Sequence, residues 1–171
     1  MSIYNRKREK KYSNMLIVGY NVETIRMRCQ HLCHRQYHKI TLWDCGGDSS
    51  IRALWSYHYS NTSLLLWIIN IHDRTRLDTN LQILSQILTN PSLSRVPVLI
   101  ILYNLPFEKR VGDGNQNLLT NLEVAFRFLA TLSTSRASTF KWQVINVTLD
   151  QANLQTDMKK LRQCFQELME L

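Results

Sequence analysis

The apolar positions of this chain change period several times, and each change predicts an element. Ile40-Thr41-Leu42-Trp43 alternates as a β-strand does, and Asp44 ends it. Gly46-Gly47 follow, a pair that frees the backbone for conformations a Cβ would forbid. Ile51, Leu54, Trp55 and Tyr59 then recur at helical spacing. Leu64–Ile69 and Val96–Leu102 are unbroken apolar runs, the pattern of strands buried on both faces. Between them Leu77, Leu81, Leu84 and Leu88 share one helical face, with Asp73 placed to cap that helix and Asn90-Pro91 to stop it. Val111–Asn115 has the chemistry of a loop. Leu122, Ala125, Leu129 and Leu132 line a further helix, Trp142–Val147 a last strand, and Leu154, Met158, Leu161, Phe165 and Leu168 a closing amphipathic helix.

The densest chemistry lies in Thr41–Thr62, where a strand, a carboxylate, paired glycines and a helix follow in order. That order suggests a phosphate-sensing turn, in which an Asp at a strand end holds Mg²⁺ through water and a glycine N–H meets the γ-phosphate. The residues also carry a resemblance. Trp43-Asp44-Cys45-Gly46-Gly47, followed by Ile51-Arg52-x-Leu54-Trp55 and Tyr59-x-Asn61-Thr62, resembles the switch II region of the Arf and Arf-like small GTPases. Gly19-Tyr20-Asn21-Val22-Glu23-Thr24-Ile25 is similar to the end of that family's switch I and the strand after it. The likeness continues through Asp73-Arg74 and Val96-Pro97-Val98 and thins beyond Asn104. It implies a three-layer α/β fold of the P-loop-NTPase type: a mostly parallel sheet flanked by helices, here truncated or rearranged in its N-terminal part.

Set against the family pattern, most of the nucleotide machinery is missing. A P-loop needs glycines to cradle phosphate, a lysine to neutralise it and a hydroxyl for Mg²⁺, yet neither GKS nor GKT occurs in the chain. Met15–Val18 allows two readings: a lead-in to the switch I strand, or the family's first strand followed by a truncated helix through Ile25, Cys29, Leu32 and Gln36. The first is preferred, because it preserves seven consecutive matching positions. By the resemblance, the Mg²⁺-binding threonine aligns with Ile17, and the glutamine that orients water aligns with Asp48, whose charge would oppose the γ-phosphate. The guanine-reading Asn-Lys-x-Asp keeps Asn104 but has Leu105 and Phe107 where lysine and aspartate belong. Thr148-Leu149-Asp150 stands where the family places its last base contact. What is left of the nucleotide site is Asp44, Gly46, Gly47 and Asn104, with no catalytic residue. No cofactor is then expected; GTP or GDP with Mg²⁺ belongs to an alternative reading as an atypical GTPase of low activity.

The family's effectors bind an aromatic triad, and the matching positions are Tyr20, Trp43 and His58. Exposed aromatics of that kind make binding hot spots, although Tyr20 and Trp43 could equally serve to cover the sheet. The resemblance thus leads to a pseudo-GTPase that engages protein partners, with membrane trafficking as the setting it implies. A third reading is a structural subunit of a larger assembly.

Composition adds bounds. At 171 residues with 44% hydrophobic and 20% charged positions, the chain reads as one soluble domain, residues 15–171, behind a basic tail, residues 1–14. The net charge of +8 favours acidic partners, and Arg6, Lys7, Arg8, Lys10 and Lys11 could meet an acidic membrane surface or simply remain solvated. Ser2 in place of glycine leaves N-myristoylation unavailable, and no apolar run is long enough to span a bilayer. Four irregularly spaced cysteines fit a reducing, cytoplasmic setting, which the resemblance extends to membrane peripheries. Cys29, His31, Cys33, His34 and His38 have the ligand chemistry for zinc but no recognised spacing, so a basic, solvated hairpin tip is the preferred reading. Finally, in the family a first strand lies between the strand ending in WDxGG and the one matching Leu64–Ile69. Met15–Val18 is expected to fill that slot.

Overall fold

A computed structural model describes residues 19–28, 37–70, 73–104, 141–148 and 153–169. They fall into two compact units, residues 1–59 and 60–171.

The first unit is built on an antiparallel pair, β1 (Tyr20–Arg28) and β2 (Tyr37–Cys45), in register from Tyr20↔Cys45 to Arg28↔Tyr37. Tyr20, Val22, Thr24 and Ile25 on β1, and Tyr37, Ile40, Thr41 and Trp43 on β2, are the aromatic and β-branched types that suit a pleated surface. Strand β2 therefore starts earlier than the four alternating residues indicate and runs one residue past Asp44. Alternate burial along it separates an exposed face (Tyr37, Lys39, Thr41, Trp43) from a half-buried one (His38, Ile40, Leu42). Because Ile25 sits within β1, the reading of a helix through Ile25 and Cys29 is excluded at that position.

The turn after β2 differs from expectation. The one positive-φ glycine among the described residues is Gly19, at φ 114°; neither Gly46 nor Gly47 takes such a conformation. Gly46 N–H donates to the Gly19 carbonyl at 2.9 Å and continues the ladder one step beyond the strands. The helix expected through Ile51 and Tyr59 is a 3₁₀ turn, Arg52–Trp55, followed by a single α-helical turn, α1 (Ser56–Tyr59). Neither turn holds a buried residue, so burial does not draw out a longer helix.

The second unit is a parallel sheet of β3 (Leu65–Asn70), β4 (Val98–Asn104) and β5 (Trp142–Thr148), with β4 in the middle. Central position explains the unbroken apolar run: Val98, Leu99, Ile100, Ile101 and Leu102 are all at most 5% exposed. β3 departs from that pattern, since Ile69 is buried but Ile68 is 43% exposed. Among the described residues β2 pairs only with β1, and β3 only with β4. Met15–Val18, expected to pair beside them, lies outside the described residues.

Helix α2 (Arg74–Leu88) lays Leu84 into the cluster formed by Ile69, Val98, Ile100 and Leu102, and Leu77, Leu81 and Leu88 pack against it. Asp73 caps it as expected, accepting from Arg76 N–H at 3.3 Å and Thr75 Oγ1 at 2.9 Å. The Arg76 guanidinium closes on the same carboxylate, and these bonds hold the Asp73 pKa below its usual value. Asn90 Oδ1 then accepts from Ser92 N–H at 3.0 Å, turning the chain into a 3₁₀ turn at Pro91–Leu93.

Helix α3 (Leu154–Met169) buries Leu161, Phe165 and Leu168, but Leu154 and Met158 at its start are 41% and 38% exposed. Asp157 and Gln166 are buried instead, and Lys160 Nζ reaches Asp157 Oδ1 at 3.4 Å. Gln143 Nε2 donates to Glu167 Oε2 at 2.9 Å and ties the helix to β5; with the bond from Gln163 it lowers the Glu167 pKa. No described helix is long and apolar enough to cross a membrane. The basic residues Arg6–Lys11, the loop at 111–115 and the helix face at 122–132 lie outside the described residues.

Candidate interaction surface

Antiparallel register decides which side chains meet at the open end of the hairpin. Val22 faces Trp43 across the strands, and Tyr20 faces Cys45, so Tyr20 and Trp43 are diagonal neighbours on one face. Their ring centroids are 5.4 Å apart with planes tilted by 44°. The turn after β2 delivers the third ring. His58 on α1 lies 4.5 Å from Trp43 and 5.9 Å, edge-on, from Tyr20. The edge-on pair of Tyr20 and His58 is an arrangement that ring quadrupoles favour, and the two pairs made by Trp43 are tilted. The three residues singled out in the sequence are thus brought together. Tyr20 is 59% and Trp43 47% exposed, so the rings present their surface outward in addition to covering the hairpin. Val22, at 42%, extends the apolar area, and its place opposite Trp43 follows from register, which sequence reading does not supply.

The turn that positions His58 is tied by its own groups. Asp48 Oδ1 accepts from Ser50 N–H at 2.8 Å and from Ser50 Oγ at 2.6 Å, and these bonds lower its pKa. Asp48 thus acts as an Asx-type turn former, a role that Asp-x-Ser signals in sequence but that comparison with a glutamine conceals. Arg52 Nε donates to the Gly47 carbonyl at 3.0 Å, and the Trp55 indole N–H to the Gly46 carbonyl at 3.1 Å. Ser56 Oγ donates to the Ala53 carbonyl at 3.0 Å.

The other candidate residues lie on both units. Asp44 is half-buried on β2, opposite Asn21, on the hairpin face away from Trp43. Beside it, burial and then the Asp44 charge push the Cys45 thiol up. Burial, then Cys45, likewise raises the Tyr59 hydroxyl. Asn104 ends β4 in the other unit. Of the zinc candidates, His38 is half-buried on β2, while Cys29, His31, Cys33 and His34 lie outside the described residues. Among the described residues no group of three or more His, Cys, Asp or Glu converges to hold a metal ion.

Comparison with known proteins supplies the frame for this surface. The structure is similar to that of the Arl6 BBS3 small GTPase from Trypanosoma brucei with bound nucleotide analogue GppNp. The TM-score is 0.60 and the identity 18%, over 94% of this chain and 83% of that one. Likeness at that identity is one of fold: α/β, of the small GTPase, P-loop-NTPase-like type. The family model described as Arf: ADP-ribosylation factor family matches residues 3–165. With nearly its whole length matched, the chain belongs to the ADP-ribosylation factor family.

Proposed function

We propose that this Arf-family chain is a pseudo-GTPase that works as a protein-interaction module through Tyr20, Trp43 and His58, in the membrane-trafficking setting its family suggests. The observation that carries this reading is the assembly of three rings within 4.5–5.9 Å of one another, with Tyr20 and Trp43 still about half exposed. Such a cluster is already ordered, so a partner meets preorganised apolar surface and little side-chain entropy is lost on binding. Doubt about nucleotide rests on particular residues: no P-loop lysine, Ile17 at the Mg²⁺ threonine position, and Leu105 and Phe107 in the guanine motif. Asp48 adds to it, since its carboxylate is engaged by Ser50.

Nucleotide binding is tested by melting the purified chain with and without Mg²⁺-GTP or GDP. A ligand at a hundred times its Kd stabilises by about 2.7 kcal/mol, which a melting curve resolves. The expected shift is nil; a clear rise in Tm, or nucleotide that copurifies, refutes the pseudo-GTPase reading in favour of an atypical GTPase. The surface is tested by Tyr20→Ala and His58→Ala. Truncating an aromatic anchor typically removes about 2 kcal/mol of binding, roughly thirtyfold in affinity. Partner binding unchanged by both substitutions overturns the assignment of this surface.

A further inference from the structure

The exposed face of the hairpin does not end at the rings. Continuing along it from the Val22↔Trp43 pair come Thr24↔Thr41 and then Arg26↔Lys39, all exposed. Strand periodicity puts the nearby acids, Glu23 and Asp44, on the opposite face. Neither Arg26 nor Lys39 forms an ion pair with another described residue. The face therefore reads, in one direction, aromatic cluster, neutral threonines, cation pair. At about 3.3 Å per residue, Lys39 lies roughly 13 Å along the strand from Trp43.

Resting on the interaction reading above, we propose that the partner of this face is an acidic amphipathic polypeptide segment, with apolar anchors on the Tyr20–Trp43–His58 cluster and carboxylates over Arg26 and Lys39. The spacing sets the partner's pattern. A helix lying along the hairpin rises about 1.5 Å per residue, so its carboxylates follow its anchors by about nine residues, two and a half turns. An extended segment needs only about four. A polypeptide fits better than a bilayer because the cations stand on one side of the rings, in line with the strands. A line of apolar and charged groups has a direction, and an elongated chain can match it. The cation pair also selects against basic partners, since like charges brought together oppose docking.

The probe is a phage-displayed library of random peptides of about sixteen residues, long enough for a helix of ~24 Å, selected on the full chain. Peptides whose binding is lost with Tyr20→Ala are kept. The expected set is rich in Asp and Glu at one end. Its affinity falls about tenfold with Arg26→Glu/Lys39→Glu, and falls also between about 50 and about 500 mM salt, where screening shortens from over 10 Å to under 5 Å. Replacing the peptide carboxylates with lysine should restore binding to the charge-reversed protein, and Arg26→Gln/Lys39→Gln, which leaves the strand residues polar, should show the smaller loss in the same direction. Ring-dependent peptides with no acidic bias, bound equally by the reversed variant, overturn this inference and leave the aromatic surface standing. Failure to recover any ring-dependent peptide overturns both. Phosphatidylserine vesicles that bind through Arg26 and Lys39 while acidic peptides do not would overturn it as well, and make the face a lipid site.

Discussion

Two glycine-to-alanine substitutions in this hairpin should have opposite signs. Gly19 holds φ at 114°, a region L-residues rarely enter, and an added Cβ would meet no atom within 4 Å. The cost of Gly19→Ala is therefore backbone strain alone, about 1–3 kcal/mol. Gly47 has no positive φ, and its added Cβ likewise meets nothing within 4 Å. Gly47→Ala removes freedom mainly from the unfolded chain and should stabilise by about 0.4–1 kcal/mol. A local reading is available, because Gly46 N–H donates to the carbonyl of Gly19 itself. Strain of about 1–3 kcal/mol at Gly19 should speed hydrogen exchange at the Gly46 amide by roughly 5- to 150-fold, at tenfold per 1.4 kcal/mol. Gly47→Ala should leave that amide as slow as before or slower. Exchange at Gly46 accelerated more by Gly47→Ala than by Gly19→Ala would refute the argument, and would put the conformational demand back on the paired glycines.

Asp73→Ala should destabilise α2 by an amount within the roughly 0.5–2 kcal/mol range of N-caps, because it removes the acceptor of the Arg76 N–H bond. The Asp73 pKa is lowered in the folded state, so the contribution is full above the ordinary carboxylate range and lost as pH falls through the folded value. Urea midpoints of wild type and Asp73→Ala should therefore converge in acid, and a gap that does not change with pH would contradict the sign. Leu84 is fully buried against Ile69, Val98, Ile100 and Leu102, so Leu84→Ala should lower stability by about 2–5 kcal/mol. At 2–4 °C per kcal/mol that is a fall in Tm of at least ~4 °C; a smaller change would mean the core closes around the lost side chain.

Legibility followed the physics of each element. β4 could be read outright because a strand buried on both faces is apolar along its length, and Val98–Leu102 are both apolar and buried. α2 carried its signals locally, with a cap at Asp73, a leucine face and a stop at Asn90-Pro91. The ring cluster could be located from the family pattern. Its geometry could not, because it depends on a cross-strand register that has no local mark. Elsewhere tertiary context overrode the local signal. Leu154 and Met158 fit a helical stripe yet stay exposed, while Asp157 and Gln166 on the same helix are buried. Gly46-Gly47 looked like the flexible point of the turn, but the positive φ sits across the ladder at Gly19, where nothing but glycine's general permissiveness hinted at it.

Bonds within the turn after β2 help to close it: Ser50 holds Asp48, Gly47 receives Arg52, and Gly46 receives the Trp55 indole. A molecular timer needs a segment that a bound phosphate can order and its loss can release. If this chain is a pseudo-GTPase as proposed, those bonds take the place of the phosphate in ordering the segment. On the proposed reading the ring surface therefore keeps no time. How much partner it holds depends at any moment on the two concentrations and one dissociation constant. Control then falls to how fast the chain is made and destroyed, and a cell would count copies of this protein where it reads the nucleotide state of a switching relative.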